Sequence, residues 1–135
     1  MTVLAVMPGK TPERMELDGS LESMQKFVGG TIQAVYPFSD PVVIVCHDEG
    51  KLMGLEYNRA LRDDDGEIYD ILCGPFFVCG LGEEDFTSLP EALFEKYFRF
   101  FEHPELFLRI SGSLLVLVGI LMATGTLGRL LSLLS

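Results

Sequence analysis

The residues with the greatest capacity for chemistry are two arginines, three positions apart, in a chain with few cations. Asn58, Arg59 and Arg62 share one polar segment of a sequence that has 10 basic and 20 acidic residues. A guanidinium presents N–H donors in a planar fork, which suits the paired oxygens of a phosphate or a carboxylate. Together with Tyr69, these residues form a candidate ligand-binding site for a small anion. The alternative is that both arginines pair with neighbouring aspartates across a hairpin.

The three cysteines and one adjacent histidine supply the ligand types that zinc prefers. Their spacing does not support a metal site, because Cys46 and His47 would point to opposite faces of a strand. Cys73 and Cys79 likewise lack the close pairing of metal-binding cysteines. We therefore expect free, buried thiols in a reducing compartment, and no metal.

No motif of an enzyme or of a cofactor site is visible. The run of aspartates before Gly66 resembles a calcium loop, but Leu72 stands where the final carboxylate ligand would be. Neither His47 nor His103 lies in a motif with a nucleophilic serine or cysteine. The glycines do not form a phosphate-binding loop. The sequence thus predicts a protein that is not an enzyme and needs no cofactor.

A hairpin is predicted to position the candidate site. Asp65 and Gly66 separate two strand-like runs, at residues 55–61 and 67–73, and glycine takes the positive φ of a tight turn without steric cost. The next run, residues 75–79, is apolar at every position, as in a strand that is buried on both faces.

The remaining elements are predicted to form the scaffold. A helix should begin after Ser20 and end at Gly29, and a second should begin with a capping box of Ser88 and Glu91. The second helix carries an aromatic stripe, which is typical of packing on a sheet, although an aromatic ligand cage is an alternative. Further strands are expected at residues 3–7, 14–17, 31–36 and 41–46, and a strand or extended loop at 52–57.

These elements predict an α+β fold, a mostly antiparallel sheet of about five to seven strands with two helices packed on it in two layers. We expect a single α+β domain over residues 1–110 and a hydrophobic tail over residues 111–135. The tail leaves three alternatives open: a membrane helix over residues 114–134, burial against the domain, or a contact between copies of the chain.

The charge balance narrows the class of partner. A net charge of −10 excludes a nucleic-acid binder that depends on phosphate contacts, because such binding needs a basic face. It is compatible with a basic protein partner or with mimicry of DNA. No secretory signal is visible at the N-terminus, so a cytoplasmic location is expected, with membrane association only through the tail.

Several ordered motifs resemble a known family. They are Gly29–Gly30 with residues 32–35, residues 58–62, residues 66–71 and residues 74–78. Over about residues 1–110, the chain is similar to the family known as domain of unknown function 3846. The resemblance implies an α+β accessory protein of a phage or mobile element, and no established activity.

Two functions are expected from these observations. The first is a non-enzymatic protein that sequesters a small anionic ligand, for example a host defence nucleotide signal, through Asn58, Arg59, Arg62 and Tyr69. The alternative is an acidic protein-interaction module that mimics DNA or that inhibits a basic host protein by occupying its surface. A hydrolase is a weaker third hypothesis.

Overall fold

The chain forms an α+β fold, as predicted. The computed structural model describes residues 1–63, 65–110 and 113–118, which contain ten strands and two helices, with antiparallel strand pairing throughout. The strands are β1 (Thr2–Val6), β2 (Glu13–Glu16), β3 (Ile32–Val35), β4 (Val42–His47), β5 (Tyr57–Arg62), β6 (Ile68–Cys73), β7 (Phe76–Leu81), β8 (Phe86–Thr87), β9 (Glu105–Ile110) and β10 (Ser113–Val118). The helices are α1 (Leu21–Val28) and α2 (Glu91–Phe101).

The main sheet is built around β7. Its strand order is β2-β1-β7-β4-β3, with β8 pairing on β7, while β5–β6 and β9–β10 form separate two-stranded sheets. Val78 of β7 lies opposite both Leu4 and Ile44. Residues 76–79 have no exposed surface, which confirms the prediction of a strand buried on both faces.

One helix covers each face of this sheet. On α1, Met24 and Val28 pack with Val43 and Phe77. On α2, Phe94, Tyr97 and Phe101 pack into the cluster that contains Ile44 and Val78. The fold therefore has three layers and not the expected two. Strands β4 and β7 carry apolar residues on both faces of the sheet, so each face must be covered by a helix. The aromatic stripe of α2 packs on the sheet, as the first interpretation predicted.

Both predicted caps of α1 are formed. The Ser20 hydroxyl oxygen accepts from the Ser23 N–H at 3.2 Å, and Gly29 takes the left-handed conformation with a φ of 89°. The capping box of α2 is wrong: Pro90 is the N-cap residue and makes no side-chain cap. Ser88 lies too early for that role, and its hydroxyl oxygen accepts from the Thr2 N–H at 2.8 Å.

The predicted hairpin is confirmed. Strands β5 and β6 pair antiparallel, and Gly66 lies in their turn with a φ of 82°. The Asp63 carboxylate accepts from the N–H groups of Asp65 and Glu67, each at 3.0 Å, which satisfies turn amides that the strands leave unpaired.

Replacing Gly66 with valine should lower the free energy of unfolding by about 1–2 kcal/mol, because a β-branched residue is strained at positive φ. A Cβ there would meet no atom within 4 Å, so the cost comes from the backbone alone. Urea unfolding measures it. Gly19→Val is the control, since Gly19 is equally open but does not have a positive φ. Equal costs at both positions would contradict the prediction.

The strand or extended loop expected at residues 52–57 is wrong in its first part. Residues 51–54 form a turn, in which Met53 N–H donates to the Glu49 carbonyl at 2.9 Å and Leu55 N–H to the Gly50 carbonyl at 3.0 Å. Strand β5 begins only at Tyr57. Strand β4, expected to end at residue 46, extends by one residue to His47, which is buried.

A second hairpin crosses the predicted boundary between domain and tail. Residues 113–118 form β10, which pairs with β9 along its full length. A membrane helix that begins at residue 114 is therefore wrong for these residues. No helix in the described ranges is long and apolar enough to cross a bilayer. Residues 119–135 lie outside the described part of the chain, so burial and self-association of the tail stay predictions.

Candidate functional site

Arg59 lies in the interior and not on a ligand-binding surface. Its side chain is 1% exposed. Nε and Nη2 donate to the carbonyl of Phe101 at 3.1 and 2.9 Å, and Nη2 also donates to the carbonyl of Lys10 at 2.6 Å. Arg59 thereby joins β5 to the last residue of α2 and to the loop after β1.

Asn58 belongs to the same buried network. Its Nδ2 donates to the carbonyls of Val6 and Gly74, both at 2.9 Å, and its Oδ1 accepts from Arg59 Nη1 at 2.8 Å. The β5–β6 register shifts between Tyr57 and Arg59, so Asn58 is the extra residue of a bulge. A bulge re-aims side chains, which explains how two consecutive polar residues both point inward.

Burial shifts the pKa values of both ionisable groups in and beside this network. Burial lowers the pKa of Arg59 to about 10, partly opposed by the nearby Glu105 carboxylate. Burial also raises the pKa of Glu105, against the Ala60 N–H and the positive charges of Arg62 and Arg59. Glu105 Oε2 accepts a hydrogen bond from that N–H, and Oε1 lies 3.8 Å from Arg62 Nη2.

The surface fork predicted from Arg59 and Arg62 is not formed. Residues three apart do not share a face of a regular strand, and only Arg62 keeps part of its side chain exposed, at 33%. The alternative pairing of both arginines with hairpin aspartates is also wrong for Arg59, whose partners are carbonyls and Asn58. The side chain of Tyr69 lies outside the described part of the structure.

A groove that was not predicted lies beside the β5–β6 hairpin. It consists of two clefts of about 230 and 630 Å³, which share Lys51, Asp70, Ile71 and Cys73. We call the pair the hairpin groove. One wall is β6, and the other is the loop of residues 48–55. This loop fits closely, since a Cβ on Gly50 would lie 2.8 Å from the carbonyl oxygen of Cys73.

The hairpin groove combines negative charge with exposed apolar surface. Asp48 and Glu49 line it together with Asp70, whose carboxylate pairs with Lys51. At its rim, Leu52 is 87% exposed, and Ile68 is half exposed. Apolar surface beside fixed charge is typical of a binding surface for another molecule.

The sequence did contain a signal for this groove. Leu52 and Met53 are two consecutive large apolar residues within a polar segment, and both are exposed. The prediction of a strand or extended loop at residues 52–57 includes both of them. In the observed turn, they project from the loop instead.

The cysteines are free, buried thiols, as predicted. Burial raises the pKa of Cys46 to about 11 and that of Cys79 to about 12. Burial also raises the pKa of Cys73. Within the described residues, no group of three or more histidine, cysteine, aspartate or glutamate side chains could hold a metal ion.

The fold and the groove define a small α+β domain with an acidic, partly apolar surface cleft. The family model for a domain of unknown function, DUF3846, matches residues 1–102, and the chain belongs to this family. The matched region ends at the C-terminus of α2, so the β9–β10 hairpin lies after it. No curated protein and no solved structure matches the chain.

Proposed function

We propose that this chain is a non-enzymatic binding protein and that its hairpin groove binds a basic, partly apolar surface of a partner protein. The observation that supports this is the balance of groups in the groove. Among the described lining residues, three are carboxylates, and the one lysine already pairs with Asp70. A partner that brings cationic side chains would meet the carboxylates of Asp48 and Glu49, for which the described part of the chain shows no ion pair.

The charge of the whole chain supports the same partner class. A net charge of −10 attracts a basic protein over long distances and raises its association rate. The apolar rim adds a contribution that salt does not screen. In the setting that the family resemblance implies, the partner would be a basic host protein. By binding its surface, this chain would act in counter-defence for a phage or mobile element.

A small anionic ligand is less well supported by the geometry. The Arg59 donors that such a ligand would need already bind the carbonyls of Phe101 and Lys10. Arg62 is partly exposed, but it lies near Glu105. Titration with linear and cyclic nucleotides therefore enters the test below as a competing outcome.

The test is calorimetric titration with a short peptide of alternating lysine and valine. We expect binding that weakens steeply as ionic strength rises, because the Debye length falls from about 30 Å at 0.01 M salt to about 3 Å at 1 M. Replacing the groove carboxylates (Asp48→Asn, Glu49→Gln and Asp70→Asn together) should weaken binding by about tenfold, a sum of modest contributions from exposed charges.

A charge-matched variant controls for net charge. Residues Glu83, Glu84 and Asp85 form an exposed acidic turn, and Glu83→Gln, Glu84→Gln and Asp85→Asn together remove the same charge away from the groove. This variant should bind nearly as well as the original protein. Equal loss in both variants would show nonspecific attraction and overturn the groove assignment. Binding of nucleotides but not of the peptide would support the anionic ligand instead.

A further inference from the structure

The two edges of the β5–β6 hairpin are blocked in different ways. Each strand of this two-stranded sheet pairs only with the other among the strands that the structure describes. Each therefore has an outer edge with backbone groups that need a partner, and such edges readily accept another strand.

The outer edge of β5 is held by a distant element. Ala60 N–H donates to the carboxylate of Glu105, which begins β9 and is partly buried near Arg62. To expose this edge, the β9–β10 hairpin would have to move away from the domain. This edge is therefore closed by the fold itself.

On the outer edge of β6, the described contact of the Ile71 amide is with a local side chain. Ile71 lies opposite Ala60, whose N–H points outward to Glu105, so the two form a non-hydrogen-bonded pair and the Ile71 N–H also points away from β5. Ile71 N–H donates at 2.7 Å to Oδ1 of Asp70, its own neighbour. The same Oδ1 also accepts from the Lys51 ammonium, and both side chains are solvent-accessible, Asp70 at 41% and Lys51 at 56%. Rotation of the Asp70 side chain, with loss of its ion pair to Lys51, would free this amide.

The outer edge of β6 lies in the hairpin groove. Asp70 and Ile71 line both clefts of the groove, so a segment bound there would lie along the edge. We propose that the partner binds as an extended segment that adds a strand to β6, with a partner carbonyl replacing Asp70 Oδ1 on the Ile71 N–H. This inference rests on the proposed function and specifies its binding mode.

The groove also defines the side chains that this segment should carry. Alternate residues of a strand face opposite sides, so one set can contact Asp48, Glu49 and the released Asp70 while the other contacts the apolar rim at Leu52 and Ile68. The partner of best fit is an extended protein segment that alternates basic and apolar residues. Main-chain hydrogen bonds supply affinity in this mode, and alternate side chains supply selectivity.

The test separates strand addition from attraction between charges. It uses Asp70→Ala and a neutral peptide of alternating threonine and valine. If Asp70 blocks the edge, its removal should strengthen binding of the neutral peptide by about threefold to tenfold, equivalent to the release of one hydrogen bond of about 1 kcal/mol. Glu84→Ala, which removes an exposed carboxylate elsewhere, should leave this affinity unchanged.

Amide hydrogen exchange gives the direct readout. In Asp70→Ala, the Ile71 amide should exchange faster than in the original protein, and saturation with the neutral peptide should slow it by at least tenfold. The same peptide methylated on every backbone nitrogen should not bind. Strand addition is overturned if Asp70→Ala binds the neutral peptide no better, or if the Ile71 amide is unprotected at saturation. The lysine–valine peptide gives a separate outcome in the original protein. If it binds there without slowing exchange of the Ile71 amide, strand addition is overturned and the proposed function stands.

Discussion

Replacing Arg59 with methionine is expected to lower the free energy of unfolding by about 3–5 kcal/mol. Methionine fills much of the same volume but donates no hydrogen bond. The carbonyl of Phe101 and the side-chain oxygen of Asn58 would each lose a donor in the interior, and the partly buried carbonyl of Lys10 would lose one as well. An unsatisfied buried acceptor costs about 1–3 kcal/mol, so the sum is a large part of the stability of a domain of this size.

Urea unfolding followed by circular dichroism measures this loss. Arg99→Met is the matched control, because Arg99 is 71% exposed and pairs only with Glu95 one helical turn away among the described ion pairs. The control should change stability by less than about 0.5 kcal/mol. Arg59→Lys should fall between the two, since lysine keeps the charge but cannot reproduce the planar set of donors. A loss below about 1 kcal/mol in Arg59→Met would mean that water replaces the guanidinium, contrary to the prediction.

Asn58→Leu is expected to cost about 2–4 kcal/mol. Leucine removes both donors that satisfy the carbonyls of Val6 and Gly74, and it removes an acceptor from Arg59. Gln33→Leu is the control: it deletes an exposed side-chain amide from edge strand β3 and should have an effect below about 0.5 kcal/mol.

The double variant tests whether Asn58 and Arg59 form one network. They share the hydrogen bond from Nη1 to Oδ1, so the cost of Asn58→Leu with Arg59→Met should be smaller than the sum of the single costs by about 1 kcal/mol. Strict additivity would show that the two residues stabilise the fold independently.

The local structure was predictable wherever the backbone conformation or the burial of a position restricts it to a few residue types. Gly66 and Gly29 take the positive φ that their positions predicted. The apolar run of β7 predicted a central strand because it has no polar face to turn to solvent. Ser20 caps α1 because its side chain can reach the first free amides of the helix.

Neither the buried network of Asn58 and Arg59 nor the hairpin groove was predictable by the same means. Polar residues in a strand predict exposure, yet Asn58 and Arg59 are buried because unpaired carbonyls from β1, α2 and two loops converge on them. That convergence depends on contacts across 16 to 52 positions of the chain, and local patterns do not contain it. The groove depends similarly on a loop and a strand that meet only in the folded chain.

The position of β7 has a consequence for how the protein is made. Strands β1 and β4 are both complete by residue 47, but they do not pair with each other and are joined only through β7, at residues 76–81. A ribosome therefore releases two strongly apolar strands well before the strand that covers their inner edges. During that interval β1 can pair only with β2, and β4 only with β3, so the edge that each will later share with β7 stays open, and pairing over such sequence distances is slow. Two apolar strands with an open edge are prone to aggregate, so the interval before β7 emerges is the stage of synthesis at which this fold is most exposed to misassembly.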